Sequence, residues 1–282
     1  MDLNGKVALV TGGSRGVGAA TAVALAEAGC DVAVAARSTK DAPQATPGTL
    51  DETIERIRST GRRGLAVPTD LSKRESVIEM IDSTVDGLGG LDILINNAAI
   101  TFVGDIDIPL KRHDLVMAVN LDAPFTAIRA AHPHLARSGG AIINVSSVAA
   151  LYPHRGLMSY GISKVALERL TVDCARQFHD DGIAVNCFRI DIPVASEGFI
   201  ANTPGVDRSD WEPPAVAAEG IVWMLRQPLP YTGRRESMYE LREREGIMAS
   251  LAERPYTERP PTELYDGLAE FGTGEFKEPH AT

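Results

Sequence analysis

Tyr160 and Lys164 stand four positions apart in the stretch SYGISK, and on a helix that spacing puts both side chains on one face. Ser147 precedes the tyrosine by thirteen residues, after an apolar run at 141–145 with the composition of a strand. A phenol held beside an ammonium ionises more readily than its reference pKa of about 10 allows, which makes it a proton donor and acceptor usable near neutral pH. A serine hydroxyl aimed at the same point can hold a carbonyl oxygen. Such a trio can move a proton on or off an oxygen, but it carries no electrons. Tyr-x-x-x-Lys is also common by chance, so its meaning depends on whether the rest of the chain supplies a hydride carrier.

The elements that must position these residues begin at the N-terminus. Residues 6–11, KVALVT, read as a buried parallel strand. The turn GGSRGVG follows, and then an alanine-rich helical stretch ended by Gly29. Strand, glycine turn and helix make a dinucleotide-binding opening, spaced TG-x-x-x-G-x-G with Thr11, Gly12, Gly16 and Gly18. Gly12, Ser14, Arg15, Gly16, Val17 and Gly18 would let a pyrophosphate approach the backbone at the helix start; a tight turn with no ligand is the alternative. The second strand, 31–36, ends without the acid that holds a ribose 2′-hydroxyl. Arg37, Ser38 and Lys40 stand there instead, with Arg15 available from the glycine turn, a set suited to a 2′-phosphate. NADP(H) is therefore the expected carrier and NAD(H) the second choice, with solvated surface charge as the alternative reading.

Downstream, 38–48 is a polar loop, and Thr49 with Glu52 forms a capping box for a helix reaching Thr60. The third strand, 64–68, runs to Asp70 and Leu71, where an adenine ring would lie. Ser72 and Glu75 are expected to cap the next helix, with Val77, Ile78, Ile81 and Val85 on its inner face. A fourth strand at 91–95 runs into Asn96, Asn97 and Ala98. Four alternations of strand and helix specify an α/β, doubly wound parallel sheet, a Rossmann fold. Residues 109–137 form a long helical region containing Asn120, the helix bearing Tyr160 continues to about 180, and 183–188 is a sixth strand. The irregular stretch 189–211 has the mixed polarity of a substrate-covering loop, and 213–225 is a helix with proline at its start. The expected organisation is a single nucleotide-binding catalytic domain, 1–235, followed by a polar C-terminal extension, 236–282, peripheral or mobile.

The formal charge of −10 over 282 residues argues against a nucleic-acid partner. It is concentrated late: from residue 236 onward there are 11 acidic and 5 basic residues, so the acidity says little about the substrate. No apolar run approaches the ~18 residues of a membrane span, and an apolar strand and glycine turn stand where a leader's cleavage site would be. A cytoplasmic protein is expected. Cys30, Cys174 and Cys187 read as core residues, and His132 with His134 as a helix-surface pair, so no metal site is expected. His154 and Arg155 either line the cleft rim or contact a polar substrate. Trp211 and Trp223 read as packing residues.

Taken together, TGGSRGVG at 11–18, Asp70, NNA at 96–98, Asn120, Ser147 and YGISK at 160–164 resemble the short-chain dehydrogenase/reductase family over residues 5–233. The long loop after Arg37 is similar to that of hydroxysteroid dehydrogenase-like members. The resemblance implies that Tyr160 is the general acid/base and that Lys164 lowers the phenol's pKa and binds the nicotinamide ribose. It also implies that Ser147 holds the substrate oxygen, with Ser146 the competing assignment, and that Asn120 places a water on a proton path. Asp70, Leu71, Asn97, Ala98 and Ile192 fall on the cofactor side. Where the family has Pro-Gly after the sixth strand, residues 190–196 read IDIPVAS, which puts Asp191 near the nicotinamide, and 234–237 is more polar than the family's seventh strand. The implied activity is NADP(H)-dependent interconversion of a small-molecule secondary alcohol and ketone by a homodimer or homotetramer packed through helices near 110–137 and 157–180. A cofactor-binding sensor or scaffold with little catalysis is the alternative. The glycine spacing and short chain disfavour a sugar-nucleotide epimerase.

Overall fold

The computed structural model describes residues 1–264. Its strands are Val7–Thr11 (β1), Asp31–Ala36 (β2), Gly64–Pro68 (β3), Ile93–Asn96 (β4), Ala141–Ser147 (β5), Ala184–Ile190 (β6) and Arg235–Ser237 (β7). They form one sheet in the order β3-β2-β1-β4-β5-β6-β7, every neighbouring pair parallel. Parallel strands need crossovers that cover both faces, which is why β1, β2 and β4 are apolar at nearly every position rather than alternating. Strand order reverses between β1 and β4, and in such sheets ligands bind at the carboxyl ends of the two strands flanking that switch.

The helices are Gly16–Glu27 (α1), Leu50–Ser59 (α2), Arg74–Leu88 (α3), Leu110–Met117 (α4), Ala123–Leu135 (α5), Met158–Gln177 (α6), Glu197–Asn202 (α7), Pro214–Arg226 (α8) and Met238–Glu245 (α9). One apolar core gathers side chains from α1, α2, α8 and α9 against the sheet. The other gathers α3, α5 and α6. The doubly wound expectation is met.

Local details differ from the sequence reading in two places. The capping box of α2 forms as expected, Thr49 Oγ1 accepting from Glu52 N–H and Glu52 from Thr49 N–H. By contrast Ser72 does not cap α3; its hydroxyl turns back to donate to Asp70 Oδ1 at 2.7 Å, and Lys73 takes the cap position without a side-chain bond. The buried stripe of α3 is Val77, Met80, Ile81, Thr84 and Leu88, steps of three and four from Val77, which leaves Ile78 exposed. The polar stretch after Gly233 forms β7, a three-residue edge strand pairing with Cys187, Phe188 and Arg189. Beyond it Met238, Leu241 and Met248 are fully buried in the first core, and Ser237 Oγ caps α9 by accepting from Glu240 N–H at 3.0 Å. The helix α9 stands where the reading had a polar extension. Residues 265–282 of that extension lie outside the described residues.

Candidate active site

Asn120 sits in a five-residue π-helical segment, Ala118–Asp122, inserted between α4 and α5. Pro124 has no N–H to donate to the Asn120 carbonyl four residues back, so an ordinary helix cannot run through this point. Single-turn π segments of this kind often mark functional sites. The Asn120 side chain is fully buried and engaged. Its Nδ2 donates to Ile100 O at 2.9 Å and to Ser163 Oγ at 3.1 Å, and its Oδ1 accepts from Ile100 N–H at 2.9 Å. Ser163 Oγ in turn donates to Tyr160 O at 2.7 Å. Asn120 thus clamps the loop after β4 to the helix carrying Tyr160.

The end of β5 and the first turns of α6 bring Ser147, Tyr160 and Lys164 to one cleft. Lys164 is almost wholly buried, its Nζ donating to Val145 O at 2.8 Å and lying 5.5 Å from the Tyr160 ring centroid. Burial pulls the ammonium down to about 8, against the opposing influence of Cys187 and Glu168. Burial also pushes the Tyr160 phenol above its ordinary value, and a hydrogen bond with Ser147 only partly offsets this. Burial, rather than the charge of Lys164, sets the direction of the phenol's shift. Desolvation acts on both groups, and the ammonium is turned to a carbonyl. Ser146, the competing serine, donates to Glu168 Oε1 at 2.8 Å inside the protein, while Ser147 faces Tyr160.

At the switch point, Thr11 Oγ1 accepts from Asn97 N–H at 3.0 Å and Ala98 N–H at 3.1 Å, and Asn97 Nδ2 donates to Thr11 O at 2.9 Å. These bonds lock the ends of β1 and β4 together. A Cβ on Gly18 would collide with Gly12 O and Asn97 Nδ2, and one on Gly12, whose φ is +68°, would sit 2.9 Å from the Ala98 backbone. The turn is a close-packed cradle at the start of α1, as the expected dinucleotide requires. Gly12, Ser14, Arg15, Gly16, Val17, Gly18, Arg37, Ser38, Asp70, Leu71, Asn97, Ala98 and Ile192 all line the cleft that holds Ser147, Tyr160 and Lys164, a cavity of about 2280 Å³.

Other placements depart from the reading. Lys40 is not among the lining residues; its exposed backbone N–H bonds to Asp51 Oδ2 at 2.7 Å. Arg15 is not free, because its guanidinium donates to the carbonyls of Thr46, Pro47 and Gly48, pinning the long loop. Ser38 Oγ donates to Gly48 O at 2.7 Å. Burial lowers the Arg15 pKa first, Glu197 raises it and Arg37 lowers it, so two cations and the α7 acid meet at this end of the cleft. Asp191 is buried with Oδ1 accepting from Tyr239 N–H at 3.0 Å, so its carboxyl is turned to the start of α9. Burial pushes it up to about 6 against the hydrogen bonding of Ser237 and Tyr239. Trp211 is buried, but it also lines the cleft and stacks on Phe199 with centroids 4.5 Å apart. Trp223 packs edge-on to Tyr231. His154 and Arg155 line the cleft, and His132 pairs with Asp181 at 2.8 Å. The three cysteines are buried, with burial pushing Cys30 up to about 12, Cys174 to about 11 and Cys187 well above the usual thiol range. Sequence reasoning missed residues 254–262, which line the cleft and carry no motif that signals it.

The sequence profile of the short chain dehydrogenase family matches residues 6–192, well over half the chain. The chain belongs to this family. Among curated relatives, hydroxysteroid dehydrogenase-like protein 2 of Xenopus tropicalis is 29% identical over 251 residues, covering 87% of this chain and 59% of the relative. The chain thus spans about three fifths of that relative's length. A 3-oxoacyl-(acyl-carrier-protein) reductase of Staphylococcus epidermidis is 35% identical over 184 residues, 64% of this chain and 72% of the relative. Among solved structures, a Burkholderia cenocepacia short chain dehydrogenase in complex with NADP is 31% identical with a TM-score of 0.74, covering 84% of this chain and 97% of that one. A short chain dehydrogenase of Mycobacterium thermoresistibile is 26% identical with a TM-score of 0.79, covering 92% and 98%. Among the described residues, no helix is long and apolar enough to cross a membrane.

Proposed function

We propose that this protein is an NADP(H)-dependent oxidoreductase that interconverts a secondary alcohol and a ketone. The observation that carries the reading is the convergence of Ser147, Tyr160 and Lys164 on the cleft that holds the glycine cradle. Bound NADPH supplies the hydride that goes to the carbonyl carbon. In reduction the Tyr160 hydroxyl donates its proton to the carbonyl oxygen, and in oxidation the phenol takes the alcohol proton back. Burial raises the phenol's pKa, which keeps it in the protonated form that reduction needs. Ser147 holds the substrate oxygen beside the phenol, and the Lys164 ammonium meets the nicotinamide ribose. Pro124 has no N–H to offer the Asn120 carbonyl, which supports the reading that Asn120 would hold a water on a proton path to Lys164.

Arg37 and Arg15 support NADP(H) over NAD(H), because a 2′-phosphate would relieve the repulsion between two neighbouring guanidinium groups. Asp70 and Leu71 would flank the adenine, and residues 1–235 would hold both cofactor and chemistry. Leu110, Phe125, Ile162 and Val165 are exposed apolar residues on α4, α5 and α6, which supports a homodimer or homotetramer packed there. Three unpaired cysteines accord with a cytoplasmic site.

The test is a ketone and alcohol panel assayed with NADPH and NADH in parallel, for wild type and Tyr160→Phe. The variant should bind NADPH within about 2-fold of wild type and lose on the order of 100-fold or more in ketone reduction. Near-full activity in Tyr160→Phe would overturn the mechanism. NADPH binding with no turnover across the panel would favour a cofactor-binding sensor, which the altered segment after β6 motivates.

A further inference from the structure

One buried carboxylate joins α6, β5 and β6 beside the cleft. Glu168 stands one helical turn after Lys164 and two after Tyr160, on the same face of α6. Its Oε1 accepts from the Ser146 hydroxyl at 2.8 Å and from Arg189 Nε at 2.9 Å, and its Oε2 accepts from Arg189 Nη2 at 2.8 Å. Ser146 and Arg189 are register partners across β5 and β6, so the two strands offer their donors to the helix side by side. All three residues are buried. Ser146 also lies between two residues that touch the reacting groups. Val145 on one side gives its carbonyl to the Lys164 ammonium at 2.8 Å, and Ser147 on the other hydrogen-bonds Tyr160.

Stability does not account for the pair, because well-packed apolar residues in place of a buried ion pair are often neutral or stabilising. Its neighbourhood does. The titratable groups around Lys164 are Tyr160 and Glu168 on its own helix and Cys187 on β6. Arg189 and Arg235 are the cations at Glu168, and Asp191 acts on Arg189. Burial pushes the Cys187 thiol well above its usual range and raises the Tyr160 phenol, so neither carries charge at neutral pH. Glu168 is the remaining anion acting on the Lys164 ammonium among the described residues.

We propose that Glu168 is a positioning residue of the active site: with Ser146 and Arg189 it fixes the helix carrying Tyr160 and Lys164 against the strand end carrying Ser147, and it supplies the negative charge that Lys164 faces. The proposal rests on the oxidoreductase reading of this cleft. Reach and charge are separable at this position. Gln keeps the reach and loses the charge, whereas Asp keeps the charge and is one methylene too short to hold both Ser146 and Arg189.

The experiment titrates Lys164 in the full chain by NMR of isotope-labelled lysine side chains, with Lys164→Arg identifying its resonance, so that turnover is not needed. Wild type should titrate near pH 8, where burial brings the ammonium. Glu168→Gln should lower that midpoint by about half a pH unit or more. Loss of fold moves it the other way, toward about 10.4, and does not imitate the result. The double variant Glu168→Met with Arg189→Met strands neither charge and should lower the midpoint as well, because Glu168 rather than Arg189 acts on Lys164. Glu168→Asp should keep the midpoint within about 0.3 unit of wild type and the Kd for NADPH within about 2-fold, while kcat for ketone reduction falls about 10-fold. A midpoint that stays put or rises in the folded Glu168→Gln or double variant, or a wild-type kcat in Glu168→Asp, overturns the proposal. Failure of the oxidoreductase reading appears separately, as a wild type that reduces no ketone with NADPH while the Lys164 midpoint still follows the charge at position 168.

Discussion

Glu168 lies one helical turn beyond Lys164 and meets Arg189 in a buried, two-pronged ion pair. Its Oε1 accepts from Arg189 Nε at 2.9 Å and its Oε2 from Arg189 Nη2 at 2.8 Å. The side chains are 5% and 3% exposed, and Oε1 also takes the Ser146 hydroxyl. Glu168→Gln keeps the shape and removes the charge, leaving Arg189 buried without its counter-ion and with Arg235 Nη1, 3.9 Å from Glu168, as a second cation nearby. Breaking a buried pair from one side costs about 3–5 kcal/mol. Gln retains one acceptor oxygen, so the lower end, about 3 kcal/mol, is expected. Urea unfolding followed by tryptophan fluorescence, at fixed protein concentration, measures it, with the slope compared to confirm that the same transition is read. Replacing both partners by methionine should recover most of the loss, because neither charge then pays desolvation. A drop below about 1 kcal/mol for Glu168→Gln, or a double variant no more stable than the single, refutes the reasoning.

Three further outcomes follow from the same structure. Asp191 rises from 3.8 to about 6 on folding, so its stabilising share is complete below pH 3.8 and is lost as pH climbs through about 6. Asp191→Asn should therefore be more stable than wild type by on the order of 3 kcal/mol at pH 8, with the gap closing toward pH 4; a pH-independent gap contradicts the burial argument. Lys164, brought to about 8 by burial, should give kcat/KM for NADPH an alkaline limb near pH 8, and a profile flat to pH 10 would contradict it. Arg37→Ala should weaken NADPH binding about 10-fold in a fluorescence titration and leave NADH within about 2-fold.

Where a residue's neighbours in sequence decide its structure, the reading and the fold agree. The glycine turn, the Thr49–Glu52 capping box and the Tyr160–Lys164 spacing are of this kind, since each follows from backbone geometry within a few residues. Ser72 shows the limit: its hydroxyl has a competing acceptor two residues back in Asp70, and that local bond wins over the cap. The helix α9 is polar along most of its length, and its apolar residues acquire meaning only when Met238 and Leu241 reach a core formed by α1 and α8. Charge alone singles out Lys40 and Arg15, and charge specifies neither the direction of a side chain nor the carbonyls that claim it. The Tyr160 phenol is raised by burial, which the sequence does not show, because it names the phenol's partner but not its solvent. No local pattern marks residues 254–262, whose place depends on contacts with Glu212, Ser209 and Glu240 made across 19 to 45 residues.

The three buried thiols give the protein a built-in record of its own opening. A thiol held at about 11 or 12 is a thiolate in roughly one molecule in several thousand or fewer at pH 7.5, and only the thiolate is alkylated or oxidised. Cys30 lies just before β2, Cys174 on α6 and Cys187 in β6, so together they sample one edge region, one flanking layer and the strand beneath Lys164. Each becomes reactive only when its own part of the sheet parts from its neighbours. A timed alkylation read peptide by peptide then ranks those regions by how often they breathe. An oxidant entering the cleft finds no ready thiol, so under the proposed function peroxide should leave turnover intact at doses that silence thiol-dependent enzymes.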